Sequence, residues 1–284
     1  MTRSMLIALL AASSLGVLGA CATADTAGTS TAAAVAPAKA DVYAGKSVLD
    51  AAIDAAGGQA ALSKAKELDW SGAATINAGG KTTEVQLQTI VRPFTFGRTT
   101  SWEKSQTEKQ AKTIQMDFGK AWSVNRVTWT PMPAAQEKHE IQQYALYGVM
   151  ALTTLKDPGV KVTETAPGKD GTRNLHVEHP KAPPMDLRFD ASGKLVHAAY
   201  SVVDPEGKGP DIKQDVDFSG EVVSNGVKWP QKISIKQNGA AYFDLSIDKF
   251  EARGDNSVTP LIHTLDDSQT PARPNTTGGN GDAG

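Results

Sequence analysis

From Asp69 onward, apolar and polar side chains alternate one by one, and this period of two constrains the fold more than any other feature of the chain. Over residues 83–91, Val85, Leu87 and Val91 share one face, while Glu84, Gln86 and Gln88 point to the other. Ile114, Met116 and Phe118 alternate with Gln115 and Asp117; Ile212, Val216 and Phe218 with Lys213, Asp215 and Asp217; Phe243, Leu245 and Ile247 with Asp244, Ser246 and Asp248. Strands of this kind have one dry face and one wet face, as antiparallel sheets do. Turn residues separate the runs: Gly79-Gly80, Gly119-Lys120, Ser192-Gly193, Asn225-Gly226 and Asn238-Gly239. The two Asn-Gly pairs predict tight hairpins, because a type I′ turn needs positive φ at both central positions. The segments predict about eleven strands in one domain, mostly β with a few helices. A meander of that length has to curl, close on itself or have its dry face covered.

Helical segments suited to covering it are present. Ser47 is placed to cap a helix carrying Asp50 in its first turn, with Val48, Ala52 and Ile53 on one face. Gly57-Gly58 interrupts this pattern and residues 59–64 resume it, predicting two short helices with a glycine joint. The joint is not a phosphate-cradling loop, because no strand precedes it and the G-x-G-x-x-G spacing is absent. A longer helix is expected over residues 134–156, between Pro131-Met132-Pro133 and Asp157-Pro158-Gly159. Its apolar stripe is Ile141, Tyr144, Ala145, Gly148, Val149 and Leu152, widened by Tyr147, Met150 and Ala151. Such a helix packs on a sheet or serves as a lid over an apolar concavity.

The ends of the chain have a different character. Arg3 is the only charged residue before position 21, and it precedes an apolar run starting at Met5. That run is shorter than a bilayer span of about 20 residues and suits the hydrophobic region of a secretion signal. Leu18-Gly19-Ala20-Cys21 resembles the bacterial lipobox, which implies removal of residues 1–20 and acylation of Cys21 as an anchor. Two or three acyl chains hold a membrane where one does not. Cleavage after Ala22-Thr23-Ala24 is the alternative, and it would discard Cys21. Ala22 in place of Asp resembles the outer-membrane sorting pattern of enteric bacteria. Residues 21–45 and 254–284 are rich in small and polar residues and read as a disordered tether and tail, leaving 46–253 as the folded domain.

Composition removes several function classes. With 29 Lys+Arg against 31 Asp+Glu, the chain lacks the basic excess of a nucleic-acid binder. A single cysteine excludes an intramolecular disulfide framework and any multi-cysteine metal cluster. No G-x-S-x-G, H-E-x-x-H, Walker A or C-x-x-C occurs. The best metal candidate is His176-Val177-Glu178-His179, but on a strand His179 points away from the other two. Asp215 and Asp217 share a face and read as a solvated surface. His139 and His197 have no evident partner. Trp70, Phe94, Phe96, Trp102, Trp122, Trp129 and Trp229 are expected on strands, where inward faces would make them core or pocket lining. No metal, no cofactor and no catalysis are expected.

The order of these features carries a resemblance. Residues 90–96 read Ile-Val-Arg-Pro-Phe-Thr-Phe. A hairpin follows with Gly119-Lys120-Ala121-Trp122, then the central helix, then Asn225-Gly226-Val227-Lys228-Trp229-Pro230. Together they resemble the LolA/LolB-like superfamily of outer-membrane lipoprotein carriers and receptors, over residues 46–253. The resemblance implies an unclosed antiparallel half-barrel with a helical lid, and a cavity for the acyl chains of lipids or lipoproteins. Arg92 beside Pro93 looks like the family's Arg-Pro strand, whose arginine contacts the lid. Phe118-Gly119-Lys120 resembles its Asp-Gly-Lys hairpin, with Phe118 in place of the acid. The expected lining is Val85, Leu87, Arg92, Ile114, Met116, Val149, Met150 and Leu152. The reading is a monomeric envelope lipoprotein on the periplasmic face of the outer membrane that takes part in lipid or lipoprotein trafficking. A ligand-free envelope sensor or protein-interaction module is the alternative, and a hydrolase using His176, Glu178 or His179 is a third class.

Overall fold

The computed structural model describes residues 41–117, 119–125 and 128–255. The signal segment, Cys21, most of the tether, Phe118 and the tail from residue 256 lie outside the described residues.

The two short helices form as the sequence predicts. In α1 (Val48–Ala55) the Ser47 hydroxyl accepts from the Asp50 amide at 3.1 Å, and in turn donates to the Asp50 carboxylate at 2.6 Å. After the glycine joint comes α2 (Gln59–Lys64). The folded part begins earlier than residue 46. Tyr43 is buried in the core, its hydroxyl donates to the Asp190 carbonyl at 2.5 Å, and the Arg173 guanidinium lies over its ring. An aromatic anchor inside a low-complexity run is invisible to a composition argument.

The strands come in two meanders. The first comprises β1 (Glu67–Ala78), β2 (Lys81–Arg92), β3 (Phe96–Glu103), β4 (Lys112–Asp117), β5 (Lys120–Asn125) and β6 (Thr128–Pro131). Then α3 (Ala134–Met150) leads to the second: β7 (Lys161–Thr165), β8 (Arg173–Glu178), β9 (Met185–Phe189), β10 (Leu195–Val202) and β11 (Ile212–Ser219). A small hairpin, β12 (Val222–Ser224) and β13 (Val227–Trp229), stands apart before β14 (Lys232–Gln237) and β15 (Ala240–Arg253). Among the described residues, thirteen strands form one antiparallel sheet in the order β6-β5-β4-β3-β2-β1-β15-β14-β11-β10-β9-β8-β7. The sheet is not closed. It exceeds the expected eleven strands because its edges, β6 and β7, span only four and five residues and show little alternation.

The two meanders join where β1 pairs with β15, from Glu67↔Arg253 to Ile76↔Phe243. The first meander therefore runs outward from the middle of the sheet to one edge, and the second returns from the opposite edge. α3 is the connection between the two edges. Both Asn-Gly turns adopt the expected positive φ, at 49° and 81° for Asn225-Gly226 and 49° and 84° for Asn238-Gly239.

The alternation sorts the faces as predicted. Trp70, Val85, Leu87, Val216, Phe218, Ile233, Leu245 and Ile247 are buried in one continuous core with α1 and α3. Asp217 on the outer face accepts from His197 at 2.8 Å. Some outer-face residues depart from the expected wet surface. Gln115 is buried because Arg98 on the neighbouring strand folds over it and donates twice to its Oε1, at 2.8 and 2.6 Å. Trp102 and Trp122 stand opposite Gln86 and Gln115, and Trp129 opposite Val124, so all three lie on the outer face rather than in the core.

Candidate ligand-binding site at the crossing helix

Since α3 has to travel from one edge of the sheet to the other, it passes over the dry face, and side chains along its length fasten it to both halves. Glu137 accepts from the Ala121 amide on β5 at 3.1 Å and pairs with Lys120 at 3.4 Å. On the other side, His139 Nδ1 donates to the Val203 carbonyl at 2.6 Å, and Gln142 Oε1 accepts from the Val203 amide at 2.8 Å. Gln143 Nε2 contacts the second His139 nitrogen at 2.5 Å. Burial pushes the His139 pKa down, and the neutral ring with one donor and one acceptor satisfies both partners.

Farther along, the Tyr144 hydroxyl donates to Thr99 on β3, and Thr99 contacts Thr89 on β2 at 2.9 Å. The Tyr147 ring meets Trp70 edge-on at 4.9 Å. Close packing here requires glycine at two positions. A Cβ at Gly97 would lie 2.5 Å from the Tyr144 ring, and one at Gly148 would lie 2.7 Å from the Phe94 ring. Phe94 holds an unusual φ of 57° and stacks on His179 at 4.0 Å, linking the β2–β3 turn to the segment after β8. The space expected beneath the lid is therefore largely filled: Leu146 and Val149 are fully buried in the core.

Openings remain beside the helix. The first, of about 460 Å³, is walled by Val91, Phe94, Phe96, Met116, Ile141 and Tyr144, with exposed Lys181 at its mouth. The second, of about 420 Å³, lies between α1 and the sheet, against Ala52, Met150, Leu152, Phe218 and Trp229. Both volumes fall in the range of about 300–1,000 Å³ usual for small-molecule sites.

The expected lining residues are thus divided. Met116 lines the first opening, and half-buried Ile114 packs with Met116 and Ile141. Met150 and Leu152 line the second opening. Val85, Leu87 and Val149 are in the packed core. Arg92 is held elsewhere: its Nε and Nη2 both donate to Glu67 at 2.9 Å, and its guanidinium lies over Phe96. The His176 segment does not converge on one point. His176 contacts Asp186 at 2.7 Å, Glu178 pairs with Lys161 at 3.2 Å, and His179 stacks on Phe94. Among the described residues no group of three metal-ligating side chains occurs.

Sequence reasoning placed Phe94 among aromatics expected in core or pocket and Ile141 on the helical stripe without assigning either to the lining, and missed Lys181 and Glu140 as residues of this region. Glu140 sits one turn before Tyr144 on α3, and burial pushes its carboxyl up to about 7. Burial therefore favours the protonated form in the folded state. Stability is highest below the ordinary carboxylate value of 4.5 and declines as pH rises through about 7. Glu140→Gln removes that decline. The expected gain at pH 8 is about 2 kcal/mol, discounted for partial water contact, with no gain at pH 4. Urea titrations of both proteins at the two pH values check this, and a gain equal at both would refute it.

No family model matches the chain, and no curated protein matches it. No described helix is long and apolar enough to cross a membrane. Among solved structures, the chain is similar to a LolA superfamily protein from Nitrosomonas europaea, at 12% identity over 69% of this chain and 93% of that one, TM-score 0.46. A DUF1329 family protein from Desulfovibrio piger is similar at 10% identity over 78% and 96%, TM-score 0.48. A Vibrio parahaemolyticus domain assigned to outer membrane lipoprotein sorting is similar at 8% identity over 75% and 94%, TM-score 0.46. The unclosed antiparallel sheet crossed by a helix is the architecture that the sequence resemblance implies.

Proposed function

We propose that this protein is an envelope lipoprotein that holds the acyl chain of a lipid or lipoprotein in the opening between α3 and the β2–β4 sheet. The observation that carries the reading is the chemistry of that opening. Its walls are apolar and aromatic, and Lys181 at the mouth is the one charged side chain among the described residues lining it. An apolar slot stabilises a chain-like guest without directional demands, at about 25 cal/mol per Å² of apolar surface removed from water. A lysine at the entrance suits a carboxylate or phosphate head that stays wet. The lipobox at Cys21 supports attachment to the outer membrane, with the domain facing the periplasm as a monomer.

The test has two arms. Purified protein should take up a fluorescent fatty acid saturably, and Ile141→Glu should weaken uptake at least tenfold, because a carboxylate in the slot loses its hydration. Uptake insensitive to Ile141→Glu, or absent, sinks the cavity reading and favours the protein-interaction module. Metabolic labelling with palmitate should be lost in Cys21→Ser; equal labelling of both proteins refutes the anchor.

A further inference from the structure

The outer face of the sheet is not uniform. Over β8–β15 it is charged: Asp186, Asp215, Asp217 and Asp244 point outward, with His176, His197 and Lys236 paired opposite or beside them. At the β6 edge the register gives two rows of a different kind. One runs Thr100, Thr113, Val124, Trp129 across β3 to β6, and the next runs Arg98, Gln115, Trp122, Pro131. Trp102 lies on the same face, two residues beyond Thr100 and opposite Gln86. The one charge in these two rows is Arg98, and its guanidinium is turned onto the Gln115 side chain. Trp122 and Trp129 meet edge-on at 6.2 Å. All three tryptophans are half-buried and keep part of their surface open. α1 and α3 pack in the core on the opposite, inner face, and these tryptophans are not part of that core.

Aromatic rings grouped on an outward face gain nothing from water, and grouped apolar surface of this kind marks a contact with another phase or molecule. An indole joins an apolar body to one polar N–H, which suits the boundary between hydrocarbon and water, and tryptophan is enriched at membrane surfaces for that reason. The neutral threonines and Val124 between the rings carry no charge that would resist leaving water. Charge also sets a direction. Anionic lipid repels the carboxylates over β8–β15 and leaves the uncharged β6 side as the face that can approach.

The chain permits this contact. Residues 22–40 separate Cys21 from Asp41, the first described residue, and span at most about 65 Å. The chain enters the domain at Tyr43, against Asp190 and Arg173 beside β8 and β9. Thirteen strands about 4.8 Å apart make the sheet about 60 Å wide when flat, and less when curled. An anchor at Cys21 therefore leaves the β6 edge within reach of the same membrane.

We infer that the outer face of β3–β6 is a membrane-contact surface, resting on the lipid headgroup layer through Trp102, Trp122 and Trp129. The inference rests on the membrane attachment proposed above and not on the acyl-chain opening.

The test is tryptophan fluorescence of the purified full-length protein on vesicles of phosphatidylethanolamine and phosphatidylglycerol, with and without brominated acyl chains. A tether alone does not move this readout, because bromine quenches only indoles that touch the lipid. Trp70 and Trp229, 1% and 4% exposed, supply an unquenched background. The expected result is quenching by brominated lipid that persists in high salt, since it comes from rings and not from charges. The double variant Trp122→Phe, Trp129→Phe is expected to lose at least half of that quenching while its fatty-acid uptake stays unchanged. Val124→Glu keeps every tryptophan, places a charge between the rings and is expected to lose as much. Ile141→Glu is expected to keep the quenching in full. The inference is overturned if brominated lipid quenches no more than plain lipid, if high salt abolishes the effect, or if the double variant and Val124→Glu are quenched like the unaltered protein. It is also overturned if Ile141→Glu abolishes the quenching, which would place the lipid in the opening. If palmitate labelling fails while tryptophan-dependent quenching persists, only the anchor reading falls.

Discussion

Replacing Glu67 by alanine is expected to lower the unfolding free energy by about 3–5 kcal/mol, the usual penalty for removing one partner of a buried ion pair. The Glu67 side chain has no exposure to water. One carboxylate oxygen takes two bonds from Arg92 on β2, both at 2.9 Å, and the other takes one from Arg253 on β15 at 3.1 Å. Arg253 also reaches Asp69 at 2.8 Å and Glu251 at 2.6 Å. These contacts sit on the outer face at the start of β1, where the first and last strands of the domain meet. Removing the carboxylate leaves two guanidinium groups, each about one-fifth exposed, beside a dry gap. For a domain of about 200 residues the melting temperature should drop by on the order of 10 °C. Glu251→Ala is the control: its side chain is 62% exposed, so its pair should contribute at most about 1 kcal/mol. Equal small losses for the two variants in urea unfolding would refute the assignment of Glu67 as the seam between the meanders.

Trp70→Ala is expected to cost about 3–5 kcal/mol and to loosen α3 in particular. Trp70 is 1% exposed and lies on β1 in the middle of the sheet. Its ring touches Tyr147 of α3 at 4.9 Å and Trp229 of the β12–β13 hairpin at 5.8 Å, and Trp229 stacks in turn on Phe250 of β15. One side chain thus joins the crossing helix, the sheet floor and the hairpin. Truncating it opens a void that neighbours on three elements cannot all close. Trp70→Phe should cost less than half as much, because the indole N–H has no hydrogen-bond partner to lose. Hydrogen exchange supplies the specific readout. Amides of α3 should exchange faster in Trp70→Ala while those of β9 and β10 change little. Uniform acceleration across the sheet would mean that Trp70 supports the fold without specially seating the helix.

These two residues illustrate what a sequence conveys. Trp70 was legible as an aromatic near the start of a strand, with core or pocket as its expected surroundings, and core is where it lies. Arg92 was legible as an arginine before a proline, and the resemblance placed it against the lid, whereas Glu67 holds it. The carboxylate that claims Arg92 is 25 residues away in sequence, and the Arg253 that shares it is 186 residues away from it. Pattern along a chain carries no information about such a partner. Gln115 fails for a similar reason: alternation assigns it to the wet face, and the neighbouring Arg98 dries it. The candidate site divides in the same way. Met116, Met150 and Leu152 do line openings, while Val85, Leu87 and Val149, equally apolar and on the same dry side, are covered by packing.

The sequence by itself determined the local structure: strands from the period of two, hairpins from Asn-Gly pairs, caps and joints from Ser47 and Gly57-Gly58, and a long helix starting after Pro133, though it ends at Met150, where Leu152 takes a φ of 55°, and not at Asp157-Pro158. Each of these follows from the backbone preferences and face of a residue relative to its near neighbours. Only the tertiary structure decided that β1 pairs with β15, and that decision fixes the rest. With the two meanders joined at the centre, the helix between them has to cross the dry face to reach the far edge. The crossing fills the middle of the concavity and leaves openings at its flanks. A period of two tells which face a residue occupies, but not which strand lies beside it, and the openings depend on that pairing.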